Sequence, residues 1–178
     1  MIVLDIETSG VFPEKHGIWQ IGALDFYNPK NTFLEECRID EEDKIEIDAS
    51  RVTEKTEAKL RDKNKQSQKD LLNNFFKWIE SVKIKNAVCH NPPFDLGFIT
   101  IKARKYGIKP SQIMNKLDIN SPFHYRSFDL HSLAQSKYKE IYGKFLLEGD
   151  HSAMSLSKVL ELCGMPHNSK TFDKLIAL

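Results

Sequence analysis

The first eight residues constrain the fold most strongly, because they combine an apolar strand with two acidic side chains. Residues 1–6 form a nearly continuous apolar run, and a Thr-Ser-Gly turn signal follows, which is typical of a buried central strand. Side chains two positions apart on a strand point to the same face, so Asp5 and Glu7 project together. This pair is a metal site, two surface acids on an edge strand, or an Asp that caps the following turn.

Two adjacent carboxylates beside a hydrophobic core are unfavourable unless a positive charge compensates them. A divalent cation provides that charge directly, and Mg²⁺ and Mn²⁺ prefer hard oxygen ligands. The apolar neighbours, residues 2–4 and Ile6, favour a buried strand over an exposed edge. We therefore predict that Asp5 and Glu7 bind a divalent metal ion.

A second motif, His-Asn-Pro-Pro-Phe-Asp at residues 90–95, follows a short apolar run at residues 86–89. The run indicates a buried strand, and the prolines indicate the first turn of a helix, where a missing N–H costs nothing. Asp95 then lies in that first turn. It is either a favourable charge on the helix dipole or a further ligand. His90 could likewise be a hydrogen-bonded loop histidine.

Strands dominate the first part of the chain, and strands then alternate with helices. Residues 17–26 and 33–39 are predicted strands, which suggests an antiparallel meander, and residues 40–70 are a charged connection with a short helix. A further short strand is expected at residues 127–128. This order predicts one α/β domain, a mixed sheet flanked by helices.

Apolar residues at helical spacing predict the helices and their inner faces. The inward residues are expected to be Leu71, Leu72, Phe75, Phe76 and Ile79; then Leu96, Ile99, Ala103 and Tyr106; then Leu130, Leu133, Ala134, Tyr138 and Ile141; and finally Leu156, Val159, Leu160 and Cys163. A last helix is expected from about residue 170.

The composition is that of an ordinary soluble globular protein, with 178 residues, 40% hydrophobic and 29% charged. No apolar run approaches the ~20 residues that span a bilayer, and the start lacks the features of a signal peptide. Three cysteines show no metal-like spacing, and Cys89 and Cys163 are expected in the core. We expect a cytoplasmic protein with no membrane segment.

The net charge of +1 does not indicate a protein that coats duplex DNA. Two local stretches are rich in Lys and Arg, at residues 55–69 and 102–105. They are either patches that grip a few nucleotides or a solvated face interleaved with acids.

The motifs together resemble the DEDD superfamily of 3′–5′ exonucleases, which includes ribonuclease T, oligoribonuclease and polymerase proofreading domains. The resemblance rests on DIETSG at residues 5–10, IWQIGAL at 18–24 and HNPPFD at 90–95, with similar segments around Asp129 and at 154–167. It implies a ribonuclease H-like α/β fold, with three antiparallel strands followed by parallel strands and flanking helices. It also implies a single exonuclease domain over residues 1–178.

The third family motif fits less well. In the DEDDh pattern a His and an Asp are separated by four residues, whereas His167 and Asp173 are separated by five, and Phe172 stands at the expected Asp position. A one-residue bulge could still bring both side chains to the site. Alternatively, His167 is an ordinary loop residue, or the C-terminus is incomplete or altered. The sister pattern with Tyr fails, because Ser169 stands where Tyr is required.

The resemblance implies a two-metal hydrolysis of phosphodiester bonds that releases nucleoside 5′-monophosphates. The metal ligands, for two Mg²⁺ or Mn²⁺ ions, would be Asp5, Glu7, Asp95 and Asp173. His167 would be the general base, because its ordinary pKa of ~6.5 lets it take a proton near neutral pH.

The expected substrate is a single-stranded or frayed 3′ end of DNA or RNA. Contacts to the terminal nucleotide are expected from Thr8, Ser9, Gly10, Asn91 and Phe94, with Gly10 permitting close backbone approach. Phe12 or Phe94 could stack on a base, and the alternative for each is core packing or turn formation. A polymerase or repair partner is left open.

Two other functions compete with the exonuclease. A catalytically impaired module could keep the fold and bind nucleic acid or a partner protein, because Phe172 disrupts the third motif. A haloacid-dehalogenase-like phosphatase also places acids at the end of its first strand. That family has a second Asp where this chain has Glu7, and only Gly149-Asp150 resembles its later motif.

Overall fold

The computed structural model describes residues 1–47, 55–112, 115 and 117–165. The strands of its main sheet are β1 (Ile2–Thr8), β2 (Ile18–Asp25), β3 (Asn28–Glu36), β4 (Ala87–Cys89) and β5 (Phe128–Asp129). Their order across the sheet is β3-β2-β1-β4-β5. The pairs β3–β2 and β2–β1 are antiparallel, whereas β1–β4 and β4–β5 are parallel. The predicted mixed sheet is confirmed.

The helices are α1 (Glu57–Leu60), α2 (Gln68–Ser81), α3 (Pro92–Lys105), α4 (Leu130–Tyr142) and α5 (Leu156–Leu162). Local signals start most of them, because the side chains of Thr56, Ser67, Asp129 and Ser155 each accept a backbone N–H of the helix that follows. Prolines start α3 instead. None of the helices in the described ranges is long and apolar enough to cross a membrane.

The main core lies between the sheet and helices α2 and α3. Helix α2 buries the five apolar residues predicted for its inner face, and Phe98, Ile99 and Ala103 of α3 join the same core. The ring of Phe75 lies 5.2 Å from that of Phe33 and 6.2 Å from that of Phe123, measured between centroids. Because β1 has a strand on either side, its acids lie on a central strand, as predicted.

Two features of the sheets differ from the prediction. The third strand begins at Asn28 and ends at Glu36 instead of spanning residues 33–39. A small hairpin of β6 (Leu147–Glu148) and β7 (His151–Ser152) was not expected, and its turn contains Gly149 at φ 59°. Asp150 at this turn is fully exposed, so nothing in the hairpin supports the phosphatase alternative.

The inner faces of the last helices were predicted incorrectly in part. Leu133 and Ile141 of α4 are 54% and 51% exposed, and the buried residues of that helix are Ala134 and Gln135. Cys163 is exposed as well, whereas Cys89 is buried as expected. Apolar spacing identifies one face of a helix, but it does not ensure that another element covers that face.

The basic stretches are largely engaged in ion pairs. Lys55 and Lys65 both contact Glu36, and Lys105 contacts Asp40. A surface role is wrong for Lys102, which is 1% exposed and bonded to a buried aspartate. These contacts favour the solvated face over a nucleic-acid patch in these stretches.

Candidate active site

The site is built where the parallel strands β1, β4 and β5 end. Val3 lies opposite Val88, and Cys89 lies opposite Asp129, so the strands advance toward the same edge of the sheet. Ligand sites in α/β sheets form at such carboxyl ends. The two acids of β1, the loop after β4 and Asp129 at the end of β5 therefore share one edge.

Asp95 reaches this edge from the first turn of α3. Its side chain is only 4% exposed, and its Oδ1 accepts the backbone N–H of Ile6 at 3.2 Å. Strand β4 ends at Cys89, so the carboxylate takes a position beside Ile6 that a longer strand would occupy. The hydrogen bond joins the two acidic motifs directly.

Burial is the main cause of the raised pKa values of Asp5 and Asp95. It raises the pKa of Asp5 from 3.8 to about 6. It also raises the pKa of Asp95 from 3.8 to about 8, with a further contribution from the negative charge of Asp5 and a smaller one from Glu7. The N–H of Ile6 opposes this shift. All three acids are thus close enough for their charges to interact.

This donor set fits a hard divalent cation, because a nearby positive charge favours ionised carboxylates and offsets their repulsion. In the described ranges, no three His, Cys, Asp or Glu side chains already form a group that could hold an ion. The expected fourth ligand Asp173 and the expected base His167 lie outside the described residues. The chemistry of the acids therefore favours a cation, while its ligand set stays a prediction.

The turn after β1 contains the residues expected to meet the substrate. Thr8 Oγ1 donates to the carbonyl of Gly10 at 2.7 Å. Ser9 is 1% exposed; its hydroxyl donates to the carbonyl of Lys44 at 2.7 Å and accepts the N–H of Gly17 at 2.9 Å. Ser9 therefore fixes the shape of the loop from inside.

Gly10 is required by packing within the protein. A Cβ at this position would lie 2.6 Å from the ring of His16, which is closer than real side chains approach. The group that approaches the backbone of Gly10 closely is thus the ring of His16, from the same loop.

Asn91 and Asp129 shape the loop that delivers Asp95. Asn91 has φ 68°, a left-handed conformation that asparagine tolerates better than most residues. Its backbone N–H donates to Asp129 Oδ1 at 3.2 Å. Burial would raise the pKa of Asp129, but hydrogen bonds from the Ser132 hydroxyl and from the backbone N–H groups of Asn91 and His131 lower it overall.

The remaining residues of the second motif lie beside this loop. The ring of His90 stands 5.7 Å from that of His131 between centroids, and burial lowers its pKa, assisted by His131 and opposed by Asp129. Within the described part of the chain, His90 Nδ1 is buried with no hydrogen-bond partner. Phe94 packs against the core, 5.0 Å from the ring of Phe98.

Sequence reasoning did not identify the structural roles of Asp129 and His16. An Asp directly before an amphipathic helix is a helix-cap signal, and that signal could have located Asp129. The contacts of His16 depend on the folded loop, and its neighbours in sequence give no comparable signal.

A model of the RNase T exonuclease family matches residues 2–155. Among solved structures, E. coli exonuclease I in complex with a dT13 oligonucleotide is similar with a TM-score of 0.69 and 16% identity, over 94% of this chain and 36% of that chain. Exonuclease I with the inhibitor BCBP gives a TM-score of 0.72 and 17% identity, over 99% and 39%. The ExoI/SSB-Ct complex gives a TM-score of 0.71 and 18% identity, over 99% of this chain and 39% of that chain. No curated protein sequence matches the chain.

The likeness to exonuclease I concerns the fold, and this chain spans less than half the length of those structures. It confirms the ribonuclease H-like arrangement of three antiparallel strands followed by parallel strands. The family match covers both acidic motifs, Asp5 with Glu7 and Asp95, together with the sheet edge on which they meet. The chain therefore belongs to the exonuclease family of the DEDD type.

Proposed function

We propose that this protein is a metal-dependent 3′–5′ exonuclease, which hydrolyses phosphodiester bonds at nucleic-acid 3′ ends and releases nucleoside 5′-monophosphates. The observation that carries the proposal is that the half-buried Asp5 and the buried Asp95 lie at the edge where the parallel strands end, with Asp95 bonded to the N–H of Ile6 next to Asp5. Burial raises the pKa of both carboxyl groups. Two mutually repelling carboxyl groups at such an edge have a clear use in binding cations.

Asp5, Glu7, Asp95 and Asp173 are the proposed ligands of two Mg²⁺ or Mn²⁺ ions. When bound, such ions stabilise negative charge on the attacking and leaving oxygens of the phosphodiester. The chain contributes rigidity, because Asp5 is on a central strand and Asp95 is held by the N–H of Ile6. His167 is the proposed group that accepts the proton of the attacking water.

The proposed contacts to the terminal nucleotide come from the two loops at this edge, namely Thr8, Ser9 and Gly10 in one loop and Asn91 and Phe94 in the other. The hydroxyl of Ser9 is used inside its loop, so this residue acts through the shape of the backbone. Asn91 is exposed at the start of α3 and can meet the nucleotide with its side chain.

Single-stranded or frayed 3′ ends are the proposed substrates. The structure of E. coli exonuclease I with a dT13 oligonucleotide supports this choice by likeness of fold. A polymerase or repair partner stays a prediction, and the ExoI/SSB-Ct complex is a precedent for a protein partner on a related fold.

The direct test uses 5′-labelled single-stranded DNA and RNA oligomers, incubated with Mg²⁺, Mn²⁺ or EDTA and resolved on gels. We expect a metal-dependent ladder that shortens from the 3′ end, because the acids can act only with a cation bound. A matched oligomer with a blocked 3′ end is the control for direction and should be degraded much more slowly.

A different pattern of products would reject the proposal. Equal cleavage of blocked and free ends would exclude action at 3′ termini. Absence of cleavage by a folded protein would favour the impaired binding module, for which the displaced Asp173 and the intervening Phe172 are the specific observation.

A further inference from the structure

His16 lies buried behind the loop that follows the first acidic motif. Its side chain is 4% exposed, yet it is not simply packed as an apolar residue would be. Its Nδ1 accepts the backbone N–H of Phe12 at 2.9 Å, and its own backbone N–H donates to the carbonyl of Phe12 at 2.9 Å. A ring nitrogen that accepts an N–H carries no proton, so the other ring nitrogen does. That nitrogen, Nε2, lies 3.4 Å from Glu46 Oε1.

The same ring determines the conformation of the loop on either side of Phe12. A side chain at Gly10 would collide with the ring, which therefore fits only against a glycine. The Phe12 ring stacks over it, with centroids 6.0 Å apart and planes at 30°. His16 thus holds both the main chain and the side chain of Phe12 in one position.

Phe12 itself is 51% exposed, although it is a large aromatic residue four positions after the end of β1. The ammonium group of Lys15 lies 5.1 Å from the centre of its ring. An exposed aromatic face with a cation beside it is the combination on which single-stranded nucleic acids stack their bases. Such stacking tolerates any base, because every base has a flat face.

We propose that His16 is a positioning residue, which acts through Phe12 to present an aromatic platform to the terminal base of a single strand. The inference rests on the proposed nucleic-acid 3′ end as substrate. His16 does not touch the reacting atoms. It keeps the Phe12 ring outward and immobile, so that less conformational freedom of this side chain is lost when a strand binds.

The test is a double-mutant cycle on the affinity of a 5′-fluorescein dT oligonucleotide with a free 3′ hydroxyl. Affinity is measured by fluorescence anisotropy in EDTA, so it does not depend on cleavage. The variants are Phe12→Ala, His16→Gln, His16→Asn and the double variant His16→Gln with Phe12→Ala. Phe26→Ala is the matched control, because Phe26 is 53% exposed on the turn between β2 and β3. Thermal unfolding of each variant confirms that it is folded.

We expect Phe12→Ala to raise the Kd about tenfold, within the range for loss of one base–aromatic stack, and Phe26→Ala to leave it unchanged. His16→Gln should raise the Kd about fivefold alone and less than twofold when Phe12 is already Ala, since coupled residues are not additive. His16→Asn should stay within about twofold of the wild type, because its amide oxygen takes the position of Nδ1 and can accept the Phe12 N–H, whereas the amide of the longer Gln extends to the position of Nε2.

Two results would overturn the inference. One is an equal effect of His16→Gln with and without the Phe12 ring, which would make His16 a general structural residue. The other is an equal change in Kd for Phe12→Ala and Phe26→Ala. This second comparison does not depend on whether the His16 variants fold. Either result can occur while the wild type still degrades 3′ ends, so failure here is distinct from failure of the proposed function.

Discussion

Replacing Asp5 with Asn should reduce 3′-end cleavage about a thousandfold or more, while the protein stays folded. Burial raises the pKa of the Asp5 carboxyl group, and its charge raises the pKa of Asp95 more than the charge of Glu7 does. Metal ions supply several kcal/mol of charge stabilisation, and each ~1.4 kcal/mol corresponds to a tenfold change in rate. Folding should not suffer, because Asn is neutral and removes a charge that partial burial disfavours.

The measurement is the initial rate on a 5′-labelled oligomer at saturating Mg²⁺, with urea unfolding of the same preparations. Asp150→Asn is the matched control, because Asp150 is fully exposed on the β6–β7 turn. His167→Ala should lose less activity than Asp5→Asn, since a bound metal also makes water a better acid. Equal residual activity in those two variants would contradict the roles assigned to them.

Replacing Lys102 with Met should lower the free energy of unfolding by about 3–5 kcal/mol, because it leaves a buried charge without its partner. The Nζ of Lys102 lies 2.7 Å from Asp43 Oδ1, and the two side chains are 1% and 2% exposed. The other oxygen of Asp43 accepts the amide of Gln68 at 2.5 Å and the N–H of Asp40 at 3.1 Å. Asp43 therefore cannot turn toward water when Lys102 is lost.

Urea unfolding at neutral pH measures this effect, and Lys105→Met is the control three residues along the same helix. Lys105 is 34% exposed and pairs with Asp40 and Glu42, so its loss should cost less than about 1 kcal/mol. Adding Asp43→Asn to Lys102→Met should recover part of the stability. A loss below about 1 kcal/mol for Lys102→Met would show that the pair is not held away from solvent.

The buried ion pair also has a consequence for the site. Lys102 is on α3, whose first turn contains Asp95, and Asp43 lies against Gly17, the residue just before β2. A Cβ at Gly17 would lie 2.6 Å from Asp43 Oδ2. The pair therefore fixes the helix of the second acidic motif to the region that follows the first.

The sequence predicted best those features whose physical cause is local. The alternation of side chains on a strand placed Asp5 and Glu7 together, and the prolines before Asp95 placed it in a first helical turn. The inner face of helix α2 was predicted correctly, because its apolar residues repeat at regular helical spacing. Patterns of this kind are contained in a few neighbouring residues.

Features that depend on distant parts of the chain could not be predicted. The bond between Ile6 and Asp95 spans 89 residues, and the pair of Asp43 and Lys102 spans 59. Lys102 is charged and lies in a stretch rich in Lys and Arg, so its local sequence predicts a surface position. Leu133 shows the opposite error, because its spacing predicted a buried position and it is exposed. The local sequence does not show which apolar helix face another element covers.

Asp95 makes the stability of the metal-free protein depend on pH in a defined direction. Its folded pKa of about 8 lies above its ordinary 3.8, so folding favours the protonated form. This contribution is complete at low pH and is lost as the pH rises through about 8. Asp5 acts in the same direction with a pKa of about 6. A cation between the acids should reverse the effect, because it favours their ionised forms.

The most direct measurement of the central claim is therefore the Tm in EDTA at pH 5 and pH 8, and in saturating Mn²⁺ at pH 8, for the wild type and for Asp95→Asn. In EDTA, the wild type should lose stability relative to Asp95→Asn as the pH rises from 5 to 8. Mn²⁺ at pH 8 should raise the Tm of the wild type by several degrees and that of Asp95→Asn by much less. An equal Mn²⁺ shift in both proteins, or no shift in either, would contradict a metal site built on these carboxylates.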